Sequence, residues 1–199
     1  MVAVGLPATV KLHMPTARYI DSLKNPRIPG FVWQDPENDD DSKMFRDILE
    51  FGFQTIQIEA EEGSAEYSFS VGLYLNFLHP EILIMGVSGD VCHRAIHRIC
   101  SQVTSGSIIN AGDERSDLFD LAYPVRFASV DEKFYFDYIG YAAWFYRSTL
   151  FKAPRVGQHK FPVLQALWAD KNGFYPDDPR CDETARRVQT LVEVLDSTK

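Results

Sequence analysis

The chain has little that would tie it to a membrane, to nucleic acid or to an oxidising compartment. None of its apolar runs approaches the ~18 uninterrupted residues that a membrane helix needs. The mildly apolar start MVAVGLPATVKLHMP is interrupted by Pro7 and has neither a cationic leading segment nor a small-residue cleavage site, so a secretory signal is not expected. Basic residues are outnumbered 20 to 28 by acidic ones, and no Lys/Arg cluster reverses the net charge of −8 locally. That field repels phosphate backbones and anionic lipid, which argues against nucleic acid and membrane partners. Only three cysteines occur, Cys92, Cys100 and Cys181, and the first two sit on one predicted helix, roughly 12 Å apart by helical rise. No disulfide framework follows, and a reducing cytoplasm is the expected location. The chain also lacks G-x-S-x-G, C-x-x-C and G-x-G-x-x-G signatures, internal repeats, and any low-complexity tract beyond DPENDDD at 35–41. No cofactor is expected.

What is present suits one compact domain: 199 residues, 45% hydrophobic and 13% aromatic. Residues 1–41 read as an arm and acidic loop, with Pro7, Pro15, Pro26 and Pro29 breaking any periodicity except a turn or two at ARYIDSLK. Asp40 or Asp41 is placed to cap a helix over SKMFRDILEF, where Met44, Phe45, Ile48 and Leu49 share a face and Gly52 stops the element. Residues 42–199 then form a single domain. From 53 the period becomes alternating, which predicts strands at 54–60 and 67–73 joined as a hairpin. EILIMGV is apolar enough for a central strand. A helix follows from Ser88 or Asp90 to Val103, then a loop at 107–117 and a strand in LAYPVRFASV, held to an edge or bulge by Pro124. An aromatic helix at 134–151, the connector APRVGQHK, a strand in FPVLQALWAD, and a closing helix from Asp182 bearing Ala185, Val188, Leu191, Val192 and Leu195 complete the order. The prediction is an α+β fold: a mainly antiparallel sheet of about five strands covered on one side by helices, with an N-terminal arm and a C-terminal helix.

Several patterns bear on chemistry. Ser68, Ser70 and Gly72 share a strand face, a low surface that lets a helix or a ligand approach closely. His79, extended because Pro80 follows it, and Glu81 point the same way and could act as an acid/base pair; a turn bonded to nearby backbone is the competing reading. Gln165 alternates with Val163 and Leu167 and so faces the core, where its amide needs partners. Asp170 begins a turn signal, Asp-Lys-Asn-Gly. His93, His97 and Cys100 fall within about a 60° arc of one helix, a spacing that could offer ligands to zinc, although no H-E-x-x-H glutamate lies between them. GVSGD at 86–90 could place a helix N-terminus against a phosphate, but it has no Walker lysine and Asp90 repels an anion.

YSFSVGL, HPEILIMGV and FPVLQALWADKNGFYPDD, in that order, resemble the hallmark blocks of a bacterial family, domain of unknown function 4262. The matching positions are Tyr67, Ser70, Gly72, Leu73, His79, Pro80, Glu81, Gly86, Gln165, Trp168, Asp170, Phe174 and Pro176, within a family-like core of about residues 45–178. The resemblance implies that His79, Glu81, Gln165 and Asp170 gather around one place, and it does not include His93, His97 or Cys100. The Pro-rich arm and the C-terminal helix depart from the family pattern.

Two functions follow as expectations. The first is an interaction module of a bacterial cytoplasmic system, an immunity-type or regulatory protein that meets a protein partner through Asp39, Asp40 and Asp41. The alternative is a small-molecule hydrolase or transferase in which His79 and Glu81 are catalytic and Ser68, Ser70, Gln165 and Asp170 bind substrate.

Overall fold

The protein is described by a computed structural model that covers residues 18–61, 65–118, 124–147 and 161–192. Predicted features at 1–17, 62–64, 119–123, 148–160 and 193–199 lie outside the described residues. These include most of the arm, the connector, the end of the aromatic helix and Leu195.

In chain order the elements are α1 (Asp21–Lys24), α2 (Asp39–Phe51), β1 (Gln54–Ile58), β2 (Tyr67–Val71), α3 (Leu73–Phe77), β3 (Glu81–Met85), α4 (Gly89–Thr104), β4 (Glu114–Arg115), β5 (Val125–Ser129), a 3-10 turn (Glu132–Phe134), α5 (Tyr135–Tyr138), α6 (Gly140–Phe145), β6 (Val163–Trp168) and α7 (Glu183–Val188). The strands make one sheet in the order β1-β2-β3-β6-β5-β4. β1, β2 and β3 form an antiparallel meander, as do β4, β5 and β6. The two meanders meet along a parallel seam in which Glu81, Ile82, Leu83 and Ile84 face Val163, Leu164, Gln165 and Ala166.

The fold is α+β, with a mixed, mostly antiparallel sheet of six strands. The strand beyond the expected five is β4, two residues inside the predicted 107–117 loop that pair with Val125 and Arg126. The sheet is also buried on both faces, not one. Phe69, Val71, Leu83, Met85 and Val163 pack against Met44, Phe45 and Ile48 of α2 and Ala142, Ala143 and Phe145 of α6. Ile82, Ile84, Leu164, Ala166 and Phe127 pack against Cys92, Ile96, Ile99 and Val103 of α4. This double burial is why Ile82–Met85 is an unbroken apolar run with no polar alternation. Each large aliphatic side chain so enclosed contributes about 1.5–3 kcal/mol.

Four boundaries differ from expectation. Asn38, not Asp40 or Asp41, caps α2, its side chain accepting the Asp41 amide at 2.9 Å. The second strand of the hairpin stops at Val71, because Gly72 adopts φ 111° and turns the chain into α3. A Cβ at Gly72 would also lie 3.0 Å from the Gly52 carbonyl oxygen. The aromatic helix breaks at Ile139 (φ −130°, ψ 35°), with Gly140, a weak helix former, opening its second part. β5 is an interior strand, and Pro124 lies just before its first ladder residue, where no amide is required.

Candidate functional site at the strand seam

Glu81, the first residue of β3, is 1% exposed and is the most densely bonded side chain of the seam. The Ser70 hydroxyl donates to its Oε2 at 2.6 Å. Its Oε1 accepts the amides of Gly72 at 2.9 Å and Tyr74 at 3.0 Å and the Tyr146 hydroxyl at 2.6 Å. Tyr146 already accepts the amides of Gly72 and Leu75 at 3.2 and 3.3 Å, which leaves its hydroxyl to donate, and Ser70 accepts the Ile82 amide at 2.8 Å while donating to the carboxylate. Burial pushes the Glu81 carboxyl above its ordinary value, opposed by the donors from Ser70, Tyr146, Tyr74 and Gly72. All the bonding geometry is that of an accepting carboxylate. Together with the Tyr146 hydroxyl it closes the first turn of α3, whose amides would otherwise be buried and unpaired.

His79 is 5% exposed and does not join Glu81. Its Nδ1 lies 2.7 Å from the Pro80 carbonyl, and its Nε2 accepts the Ile109 amide at 3.1 Å. That pairing assigns the neutral ring with hydrogen on Nδ1 and leaves no nitrogen for a substrate. Desolvation holds His79 below its ordinary value, against the opposing Pro80 bond. The ring pins the 107–118 segment beside the sheet.

Gln165 and Asp170 are also taken up by backbone. Gln165 Nε2 donates to the Thr190 carbonyl at 2.7 Å, and its Oε1 accepts the Val192 amide at 3.2 Å. The predicted closing helix therefore ends at Val188, and residues 189–192 run beside β6. Gln189 reciprocates, accepting the Trp168 amide at 2.9 Å and donating to the Trp168 carbonyl at 3.0 Å. Asp170 accepts the amides of Asn172, Phe174 and Asp182 at 2.8, 2.9 and 2.9 Å. These bonds, the one from Phe174 foremost, hold its carboxyl below the usual range. Ser68 is fully buried under α4 beside the Cys92 thiol, which burial pushes up to about 11. Of the four residues expected to gather, His79, Glu81 and Gln165 all lie along the seam, but each bonds to a different neighbour, and Asp170 organises a turn beyond it.

The remaining candidates separate in the same way. His93 and His97 are exposed on α4 with ring centres 5.1 Å apart, whereas Cys100 is fully buried against Ser70 and Glu81 with its thiol raised well above the ordinary value by desolvation. The three do not form one site, and no group of three or more His, Cys, Asp or Glu suited to a metal exists among the described residues. In GVSGD both glycines are closely packed by protein: a Cβ at Gly86 (φ 77°) would lie 2.4 Å from the Val188 carbonyl oxygen, and one at Gly89 2.0 Å from Gln57 Nε2. In the acidic run Asp39 and Asp40 are exposed, but Asp41 is 2% exposed, accepting the Glu37 amide at 2.8 Å and the Tyr141 hydroxyl. Asp41 is thus a structural carboxylate and not a surface one.

An open groove of about 560 Å³ lies where β3 and β6 begin, lined in part by Tyr74, Pro80, Asn110, Ser129 and Glu132. None of the site residues expected from the sequence lines it. Sequence reasoning also missed Tyr146 and Gln189. Tyr146 carried only a faint signal, a tyrosine where a buried helix face would accept phenylalanine. Gln189 carried none.

A family model described as "Domain of unknown function (DUF4262)" matches residues 47–182, so the chain belongs to that family. Searches of curated proteins and of solved structures find no match.

Proposed function

We propose that this member of the DUF4262 family is a binding module, an immunity-type or regulatory protein that takes a basic protein partner at the start of α2. One observation carries the reading: exposed Glu37 and Asp40 lie near the half-buried Tyr141, whose ring stacks on Trp144 at 5.4 Å and 9°, and exposed Asp39 adjoins them in the first turn of α2. Neither Asp39 nor Asp40 takes part in an ion pair among the described residues. Carboxylates that draw in a lysine or arginine and an aromatic face that receives it are complementary to a basic surface. The hydrolase or transferase alternative draws less support, because His79 and Glu81 spend their hydrogen bonds on separate structural partners.

The test is capture of the partner from native-host lysate by tagged chain at low salt, beside an Asp39→Lys/Asp40→Lys variant. The expected outcome is a stoichiometric protein retained by the wild type, lost at high salt and lost in the variant, with association slowed about tenfold or more. Equal capture by both proteins, or no stoichiometric partner, overturns the reading.

A further inference from the structure

Outside the seam and the acidic face, α4 carries the one pair of exposed imidazoles among the described residues. His93 and His97 are four residues apart, one helical turn, so their side chains project over the same surface. Their ring centres are 5.1 Å apart. A zinc ion bound at about 2.0–2.1 Å by one nitrogen of each ring would lie roughly 3.2 Å from each ring centre, and a tetrahedral ligand angle would then set the centres about 5.2 Å apart.

We propose that His93 and His97 form a two-imidazole chelate for a divalent transition-metal ion of the zinc class. The ring centres already stand at the separation the ion sets, and both side chains are exposed and free to turn one nitrogen each toward it. Phe53 holds His97 edge-to-face at 5.2 Å, which orients that ring and lowers the ordering cost of ligation. With Cys100 facing the interior, the protein supplies two ligands. The remaining positions are open to water or to donors from another molecule, the arrangement of a bridging rather than a closed structural ion.

The experiment is titration of tag-free full-length chain with Zn²⁺, read by calorimetry and by the imidazole nitrogen resonances of ¹⁵N-labelled protein. The expected result is one ion per chain, with the His93 and His97 resonances moving together. His93→Asn, at an exposed position, should weaken binding by at least about tenfold and cancel the response of His97. His97→Asn should do the same to His93. Unchanged affinity in both variants, or Zn²⁺ that leaves both rings unmoved, overturns the proposal. Neither result depends on whether a protein partner is found.

Discussion

At the scale of single residues, the seam places ionisable groups where their bonding leaves little freedom. Glu81→Gln keeps the shape but presents an amide NH₂ to some of the donors that now converge on the carboxylate. Leaving buried donors opposed should cost about 3 kcal/mol, seen as a lower denaturant midpoint with unchanged slope. A variant as stable as wild type would show that the carboxylate is not what closes α3. His79 makes a prediction with a definite sign. Its folded value is lowered, so the stability of the neutral ring is complete above the ordinary value of about 6.5 and is lost as pH falls below it, while the unfolded chain takes up the proton. His97, also lowered, acts in the same direction. Chemical denaturation between about pH 7 and 5 should therefore show falling stability. In His79→Gln the slope should flatten but not vanish; an unaltered slope would mean that His79 does not stay neutral in the fold.

At the scale of elements, the C-terminal segment is a latch. Gln165 and Gln189 fasten residues 189–192 along β6, and the Val188 carbonyl rests where a Gly86 side chain would be. Gln165→Leu should leave the Thr190 carbonyl and the Val192 amide unpaired, costing about 2 kcal/mol, and hydrogen exchange should quicken in 189–192 before the sheet is affected. Gly86→Ala should do comparable damage by displacing Val188; wild-type exchange in either variant would contradict the latch. α2 and α4 were legible in the sequence because amphipathic period and a stop glycine are local signals, as at Met44, Phe45, Ile48 and Gly52. β3 was legible as a buried strand because a short unbroken apolar run is also a local signal. The latch was not: Val188 and Val192 kept helical spacing, and nothing local announces that Gln165, 25 residues from Thr190, would capture the tail as extended chain. The family-like residues did mark the seam, yet their types suggested chemistry where the geometry shows hydrogen-bond accounting.

At the scale of the whole molecule, net charge and local charge are different quantities. Pairs such as Arg126–Asp177 and Arg180–Asp178, both at 2.7 Å, neutralise charge locally without changing the net −8, while Asp39 and Asp40 remain outside such pairs. Neutralising those two carboxylates to Asn should weaken association and its salt dependence with little effect on thermal stability. Asp41→Asn should do the opposite, loosening the contact with Glu37 and Tyr141 and lowering the melting temperature. A melting temperature unmoved by Asp41→Asn would remove the distinction between the buried and exposed members of the run.

The two-meander sheet also has a consequence for the chain as it is being made. β1, β2 and β3 are complete once Met85 has left the ribosome, but the strand that covers the far edge of β3 begins at Val163, about eighty residues later. During that interval Ile82, Leu83 and Ile84 present a bare apolar edge, a template for any extended segment of a neighbouring nascent chain. The most buried strand of the finished protein is therefore its most vulnerable one during synthesis, and slowing translation between residues 86 and 162 should raise the aggregated fraction without changing the stability of molecules that complete the sheet.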